Sequence, residues 1–289
     1  MRMRLPERGF LLRVLVLIAT AGVIPLTPAQ ENEGGAAENA SAEPVPPSDA
    51  AQEDSASNDV SGGSAPAPAD IGPGAADEAT ADGHSYSEAE TILWLTDQLK
   101  SIQEPVRLNY EFKKAGSLEE GFTDSVQLEI TEMLPDGMKK ANVTFFTGAR
   151  RHYVPPYESI NGNPLLAIYL HGDVLEMKRL TDGGWRYFHR RIKYAFAEAA
   201  EITPVDVDFN GRQVRAKQVK VTPYVDDPHA ETSEKLHRLR NKVYLFTVSD
   251  DIPGYLYEIR TVVPPEKTAA DPSQPLLEES LRLLAVEDL

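Results

Sequence analysis

Residues 163–200 have the sequence NPLLAIYLHGDVLEMKRLTDGGWRYFHRRIKYAFAEAA, and this stretch decides the fold class. Asn163-Pro164 is a helix-start signal, and the TDGG segment at 181–184 is a helix break. Apolar residues lie between them at helical spacing: Leu166, Leu170, Val174 and Met177. A second amphipathic segment extends over 185–200, so the stretch predicts two helices joined by a tight turn.

Upstream of this hairpin the apolar period changes from helical to two. Residues 106–112, 126–130 and 141–145 alternate between apolar and polar side chains. Such alternation is typical of antiparallel strands that bury one face. Pro135-Asp136-Gly137 is a turn signal between the last two segments, so we expect hairpin-linked strands here.

Downstream the strand period returns. Residues 205–209 alternate and are followed by Asn210-Gly211, a strong signal for a two-residue hairpin turn into a strand at 212–222. Residues 243–248 are nearly all apolar, as in a central strand, and a Pro-Gly turn then leads into a strand at 255–259.

The two ends of the domain show helical spacing. Ser87 and Glu90 form a capping box, and apolar residues continue at helical spacing: Ile92, Leu95, Leu99 and Ile102. They predict a helix over 88–103. At the other end, residues 265–289 have the pattern of a linker followed by a short C-terminal helix with Leu277, Leu281 and Leu284 on one side.

Together these elements predict an α+β domain over residues 85–264. In this domain a curved antiparallel sheet of about six to eight strands clasps the helical hairpin and the N-terminal helix.

The N-terminus has the pattern of a bacterial export signal. Three arginines within the first eight residues precede an apolar segment at 14–26, which is shorter than the roughly 20 residues of a membrane-spanning helix. Thr27 and Ala29 supply the small residues of a cleavage site. We therefore expect a signal peptide at 1–29 and a periplasmic or secreted protein; an uncleaved anchor that begins at Phe10 is the alternative.

Residues 30–84 are rich in Pro, Ala, Gly and Ser, and residues 31–84 contain 12 acidic residues and neither Lys nor Arg. This composition predicts a disordered tether. The formal net charge is −16, of which residues 31–84 contribute −12 and residues 1–30 contribute +3, so residues 85–289 carry −7. Such acidity argues against broad binding of nucleic acids.

No motif for catalysis is present in the sequence. The chain has no cysteine and no Gly-x-Ser-x-Gly elbow, and its six histidines are scattered. Glu234 and His237 have the one-turn spacing of half a di-iron carboxylate site, but the unit occurs once, which favours an exposed polar helix. We expect a non-enzymatic protein without metal or cofactor.

Asp173 is an acid at an apolar position. On a helical wheel it lies inside the stripe between Leu166 and Leu180. A buried carboxylate needs a partner, for which an arginine of the second helix or of Arg150-Arg151 is the expected source. The alternatives are a buried ion pair that fixes the packing of the hairpin and a functional acid.

The second helix of the hairpin is basic on its outer face. This basic face consists of Arg186, His189, Arg190 and Lys193. It is either a solvated surface or a docking surface for anionic lipid headgroups or an acidic protein partner.

The order of elements over residues 88–263 resembles that of the lipoprotein-carrier proteins of the Gram-negative periplasm and their relatives. In that family a half-barrel and its helical lid enclose an apolar cavity for acyl chains. The resemblance carries over no individual residue, and this chain lacks the lipid-attachment cysteine of the lipoprotein members.

Aromatic residues on the predicted strands are the candidate ligand-binding set: Tyr110, Phe112, Phe145, Phe209, Phe246, Tyr255 and Tyr257. Apolar ligand pockets are lined by such side chains. The leading hypothesis is an exported envelope protein that binds an apolar or lipid-like ligand in the curved sheet. The alternative is an envelope adaptor that binds another protein through the basic helix or the C-terminal helix. In either case no membrane span is expected after signal cleavage.

Overall fold

The computed structural model describes residues 85–266 and 271–289. The strands in these residues are β1 (Val106–Ala115), β2 (Phe122–Met133), β3 (Lys139–Phe145), β4 (Tyr157–Ile160), β5 (Glu201–Phe209), β6 (Arg212–Val221), β7 (Val243–Val248), β8 (Leu256–Val263) and β9 (Leu277–Asp288). The helices are α1 (Glu88–Glu90), which continues as a π-helical turn at Thr91–Leu95, α2 (Leu165–Thr181), α3 (Trp185–Glu198) and α4 (Glu234–Leu239). The predicted signal peptide at 1–29 and tether at 30–84 lie outside the described residues.

The strands form one curved antiparallel sheet in the order β4-β3-β2-β1-β9-β8-β7-β6-β5. The first four strands make one half, the next four make the other half, and the α2–α3 hairpin is inserted between them along the chain. The predicted α+β class, the antiparallel sheet and the inserted hairpin are therefore confirmed. Two of the strands, β4 and β9, were not predicted.

The C-terminal segment is a strand, so the predicted C-terminal helix is wrong. β9 lies between β1 and β8, where Leu281 pairs with Phe112 on one side and with Ile259 on the other. Buried residues follow one another at every second position of the strand: Leu277, Glu279, Leu281 and Leu283. Because an acid occupies one of these positions, the alternation is hidden in the sequence, and the leucines match a helical spacing instead.

The N-terminal helix is shorter than predicted. Its capping box is present, since the Ser87 hydroxyl accepts from the Glu90 backbone and the Glu90 carboxylate accepts from the Ser87 backbone. The helix ends at Leu95, because the backbone N–H groups of Gln98 and Leu99 donate to the Asn161 carbonyl instead of continuing the helical pattern. Leu99 is nevertheless buried, in a turn.

The hydrophobic core lies between the α2–α3 hairpin and the sheet. Ring contacts mark this interface: Phe196 of α3 packs on Phe246 of β7 at 5.4 Å between centroids, and Tyr169 of α2 lies 6.4 Å from Phe112 of β1. Within residues 85–266 and 271–289, no helix combines the length and the apolar character that crossing a bilayer requires.

Candidate functional site

A half-open pocket of about 280 Å³ lies where the end of α2, the short helix α4 and two loops meet. Four leucines form its apolar floor: Leu118, Leu180, Leu239 and Leu276. We call this site the leucine pocket. The two loops that contribute to it are joined, because the Leu118 N–H donates to the Leu276 carbonyl at 2.9 Å and the Leu276 N–H donates to the Val263 carbonyl at 3.0 Å.

The rim of the leucine pocket is charged and comes from α4. It consists of Glu234, Lys235 and Arg238. Lys235 pairs with Asp182, and Arg238 Nε donates to Glu266 Oε1 at 2.6 Å. All four partners are more than a third exposed. Exposed pairs of this kind contribute about 0–1 kcal/mol, so the two cations can exchange their partners for an anionic group of a ligand.

An ionic cluster fixes the loop that carries Leu118 against α2. Arg179 Nη2 donates to both carboxylate oxygens of Glu119, at 2.6 and 2.7 Å. Lys114 Nζ lies 2.6 Å from Glu176 Oε1 and 3.0 Å from Glu119 Oε2. Since Glu119 follows Leu118 and Arg179 precedes Leu180, these bonds set the distance between the two leucines.

The charges of this cluster shift one another's protonation equilibria. Burial alone would raise the pKa of Glu176, but hydrogen bonds from Arg179 and Lys114 outweigh it and lower the pKa to about 2. Burial alone would lower the pKa of Lys114, yet the hydrogen bond to Glu176 and the charge of Glu279 raise it. Both groups are therefore charged at neutral pH, and the cluster persists there as ion pairs.

Asp173 is buried on α2, as its wheel position predicts, and its carboxylate is paired. The partner is not an arginine of α3 or of the 150–151 segment, as expected, but Lys242, the residue before β7. Tyr244 Oη also donates to Asp173 Oδ2, at 2.6 Å. The Asp173–Lys242 pair could not be predicted from the sequence, because a lysine beside an apolar strand is usually solvated.

The seven predicted aromatic residues are spread over both halves of the sheet. Tyr110, Phe112, Phe145, Phe246 and Tyr255 are between 0% and 8% exposed, and Phe209 and Tyr257 are half-buried. Six of them lie on strands as predicted, whereas Tyr255 precedes β8 in a left-handed turn conformation with φ 68°.

The two aromatic residues of β1 already have partners within the protein. Tyr110 Oη donates to the Leu256 carbonyl at 3.2 Å and accepts from Asn163 Nδ2 at 3.3 Å. Phe112 packs against Phe146 at 4.8 Å between ring centroids. None of the seven lines the leucine pocket.

The predicted basic face is on the outside of α3. Arg186, Arg190 and Lys193 are exposed, and His189 is half-buried. Burial lowers the pKa of His189, and the neighbouring Lys193 and His171 lower it further, so the imidazole is neutral at pH 7. The face therefore has three positive charges at neutral pH.

No pattern in the sequence predicts the leucine pocket. Leu180 is the last member of the core stripe of α2, and Leu118 is a single apolar residue in a polar loop, but no local pattern joins them. The expected exposed polar helix at Glu234 and His237 is present as α4. In the described part of the chain, no three His, Cys, Asp or Glu residues are grouped as a metal site requires.

No family model matches the chain, and no curated protein matches its sequence. The solved structures that match include lipoprotein LppX of Mycobacterium tuberculosis, with 8% identity and a TM-score of 0.29, covering 70% of this chain and 98% of LppX. A LolA superfamily protein from Nitrosomonas europaea also matches, with 8% identity and a TM-score of 0.19, covering 71% of this chain and 94% of that protein. These matches agree with the resemblance to the lipoprotein carriers. At these TM-scores they carry no argument about activity or ligand.

Proposed function

We propose that this protein is an exported, non-enzymatic binding protein for a small amphiphile with an apolar tail and an anionic head. The observation that carries the proposal is the leucine pocket. Four separate segments of the chain contribute its apolar floor, and Lys235 and Arg238 lie at its rim. An apolar floor with a few charged groups at one edge is typical of small-ligand sites.

The volume of the pocket limits the ligand. Pockets for small ligands measure about 300–1,000 Å³, and this one, at about 280 Å³, is just below that range. It has room for one short acyl chain or an apolar group of similar size. A lipid with two or three long chains would extend well beyond it.

The seven aromatic residues of the sheet are a second, internal location for an apolar ligand. Phe112 and Phe246 are already packed against Tyr169 and Phe196 of the hairpin, so a ligand between them requires the hairpin to move off the sheet. The leucine pocket needs no such movement, and for this reason we prefer it. An adaptor could not bind its partner through a C-terminal helix, because that segment is the central strand β9.

Sodium decanoate is a suitable probe, and isothermal titration calorimetry measures its binding. Leu180→Asp places a charge in the pocket and should weaken decanoate binding by at least about tenfold, which corresponds to about 1.4 kcal/mol. Leu175→Asp is the matched control, because Leu175 is exposed on the same helix and does not line the pocket. Arg238→Glu should weaken the binding of decanoate more than that of uncharged decanol.

Two results would contradict the proposal. One is a wild-type protein that binds neither probe and that carries no lipid in native mass spectrometry after purification from a bacterial envelope. The other is decanoate binding that Leu180→Asp and Leu175→Asp leave equally intact. Export is tested separately: N-terminal sequencing of the mature protein should begin at Gln30, and an intact 14–26 segment would contradict cleavage.

A further inference from the structure

The outer face of α3 has positive charges that form no ion pair with residues 85–266 or 271–289. Four of the fourteen residues of α3 are cationic and one is acidic. In the described part of the chain, no carboxylate lies within 4 Å of Arg186, Arg190 or Lys193. On a domain whose net charge is −7, this is a local reversal of sign.

The fourth cation of α3, Arg191, differs from the other three because it contacts the domain. Arg191 Nε donates to the Pro223 carbonyl at 3.1 Å and lies 3.6 Å from the buried carboxylate of Asp227. Arg191 therefore anchors the helix to the domain, whereas the other three cations point away from it. One cation of α3 is therefore used for packing within the domain, and three are exposed to solvent.

Aromatic side chains flank the three outward cations. The Arg186 guanidinium lies 4.9 Å from the ring centre of Trp185, and Tyr194, next to Lys193, is 50% exposed. Trp and Tyr with Lys and Arg are the residues that favour the headgroup level of a bilayer, because their apolar parts enter the interface while their polar ends stay hydrated.

We infer that α3 docks the protein on an anionic lipid surface through Arg186, Arg190 and Lys193, with Trp185 and Tyr194 at the headgroup level. The three cations are opposite in charge to such a surface, and each cation near it contributes roughly a factor of five in binding. The inference uses residues outside the leucine pocket, so it stands or fails independently of the amphiphile site. An acidic protein partner is the competing occupant.

Flotation of the full-length protein with lipid vesicles tests the inference. Vesicles of phosphatidylcholine with 30% phosphatidylglycerol by weight should bind the protein at low salt. They should release it as the concentration of sodium chloride rises, because salt screens the electrostatic attraction. Pure phosphatidylcholine vesicles report any binding that does not depend on the charge of the lipid. The charge reversal Arg186→Glu, Arg190→Glu and Lys193→Glu should reduce binding to the anionic vesicles by at least about 100-fold.

A matched control reverses three exposed cations on other elements: Lys113→Glu, Arg151→Glu and Arg212→Glu. This variant has the same net charge as the α3 variant and should keep most of the vesicle binding. If the charge reversal impairs folding, the second test replaces Arg186, Arg190 and Lys193 by glutamine. Replacement of the two arginines by lysine should retain binding, because binding to a lipid surface depends on the positive charge and not on the bidentate geometry of arginine.

Three results would overturn the inference. Wild-type protein that does not float with the anionic vesicles is one. Equal losses in the α3 variant and in the control variant are another, because net charge would then explain the effect. Binding to soluble polyglutamate through α3 without binding to anionic vesicles would assign the face to an acidic protein partner instead.

Discussion

Asp173, in the middle of α2, forms an ion pair with Lys242, the residue that precedes β7, and both side chains are 1% exposed. Tyr244 donates a second hydrogen bond to the same carboxylate, and the Tyr244 hydroxyl lies 3.2 Å from that of Tyr224. The pair therefore ties the helical hairpin to the sheet through groups that have no access to water. Burial of two charges is tolerated only because each satisfies the other.

Asp173→Ala should lower the free energy of unfolding by about 3–5 kcal/mol, because it leaves Lys242 buried without a counter-charge. Replacement of both partners by apolar residues, Asp173→Leu with Lys242→Met, should cost less than either single change. Urea unfolding followed by circular dichroism measures Asp173→Ala, the double variant and its two single variants.

Lys235→Ala is the control for Asp173→Ala, because it breaks an exposed Lys–Asp pair between α4 and Asp182, the residue that follows α2. It should cost under about 1 kcal/mol. If Asp173→Ala were as mild as this control but abolished binding of decanoate or vesicles, the acid would belong to a functional site and not to the packing of the hairpin.

Glu176 makes stability depend on pH. Its folded pKa is about 2 against an ordinary value of 4.5, so its contribution is complete above pH 4.5 and is lost as the pH falls towards 2. The difference in free energy of unfolding between wild type and Glu176→Gln should be about 3 kcal/mol at pH 7 and should shrink below pH 4.5. Glu120→Gln, at an exposed acid near the same cluster, should show no such trend. A difference that stays constant from pH 7 to pH 3 would contradict the ion-pair account.

Features that are encoded by neighbouring residues were predictable from the sequence. The α2–α3 hairpin follows from a helical period broken at 181–184, and the β5–β6 hairpin follows from Asn210-Gly211, whose φ angles of 54° and 74° are those the turn requires. The wheel position of Asp173 predicts its burial for the same reason, because the stripe of α2 is local.

Features that depend on distant contacts were not predictable. Lys242 is 69 residues from Asp173, and nothing near either residue indicates the pairing. The leucine pocket combines four segments that come together only after the sheet has formed. β9 was misassigned because a strand that pairs on both sides tolerates an acid at a buried position, where Lys114 lies 3.3 Å from Glu279.

Leu281 and Leu284 distinguish the strand from the helix at the C-terminus. In a helix the two residues share a face, whereas in β9 Leu281 is fully buried and Leu284 is 48% exposed. Leu281→Asp should therefore destabilise the domain by more than about 3 kcal/mol or prevent folding, and Leu284→Asp should cost under about 0.5 kcal/mol. Thermal unfolding of both variants measures this, and similar losses at the two positions would argue against β9.

Asn163 joins the start of α2 to the sheet. Its Oδ1 accepts from the Leu165 N–H at 3.1 Å, and its Nδ2 donates to the Gly254 carbonyl at 2.9 Å and to Tyr110 Oη. Asn163→Ala should cost about 2–4 kcal/mol, because it removes three buried side-chain hydrogen bonds and leaves the Leu165 N–H without the Asn163 acceptor. Asn161→Ala, two residues earlier and exposed, should change stability by under about 0.5 kcal/mol and serves as the control.

Asn163→Asp gives the sharper test, because it keeps the shape of the side chain and replaces only the donor. An ionised carboxylate still caps the Leu165 N–H, but its other oxygen faces the Gly254 carbonyl and is repelled by it. The repulsion raises the folded pKa of this aspartate above the unfolded value of about 3.9, so the stability of the variant is greatest below that value and is lost as the pH rises through the folded pKa. The deficit of Asn163→Asp relative to wild type should therefore shrink as the pH is lowered from 7 towards 4, whereas the deficit of Glu176→Gln should begin to shrink only below pH 4.5. A deficit that does not change with pH would show that Asn163 supports α2 through its shape and not through the bond that it donates to Gly254.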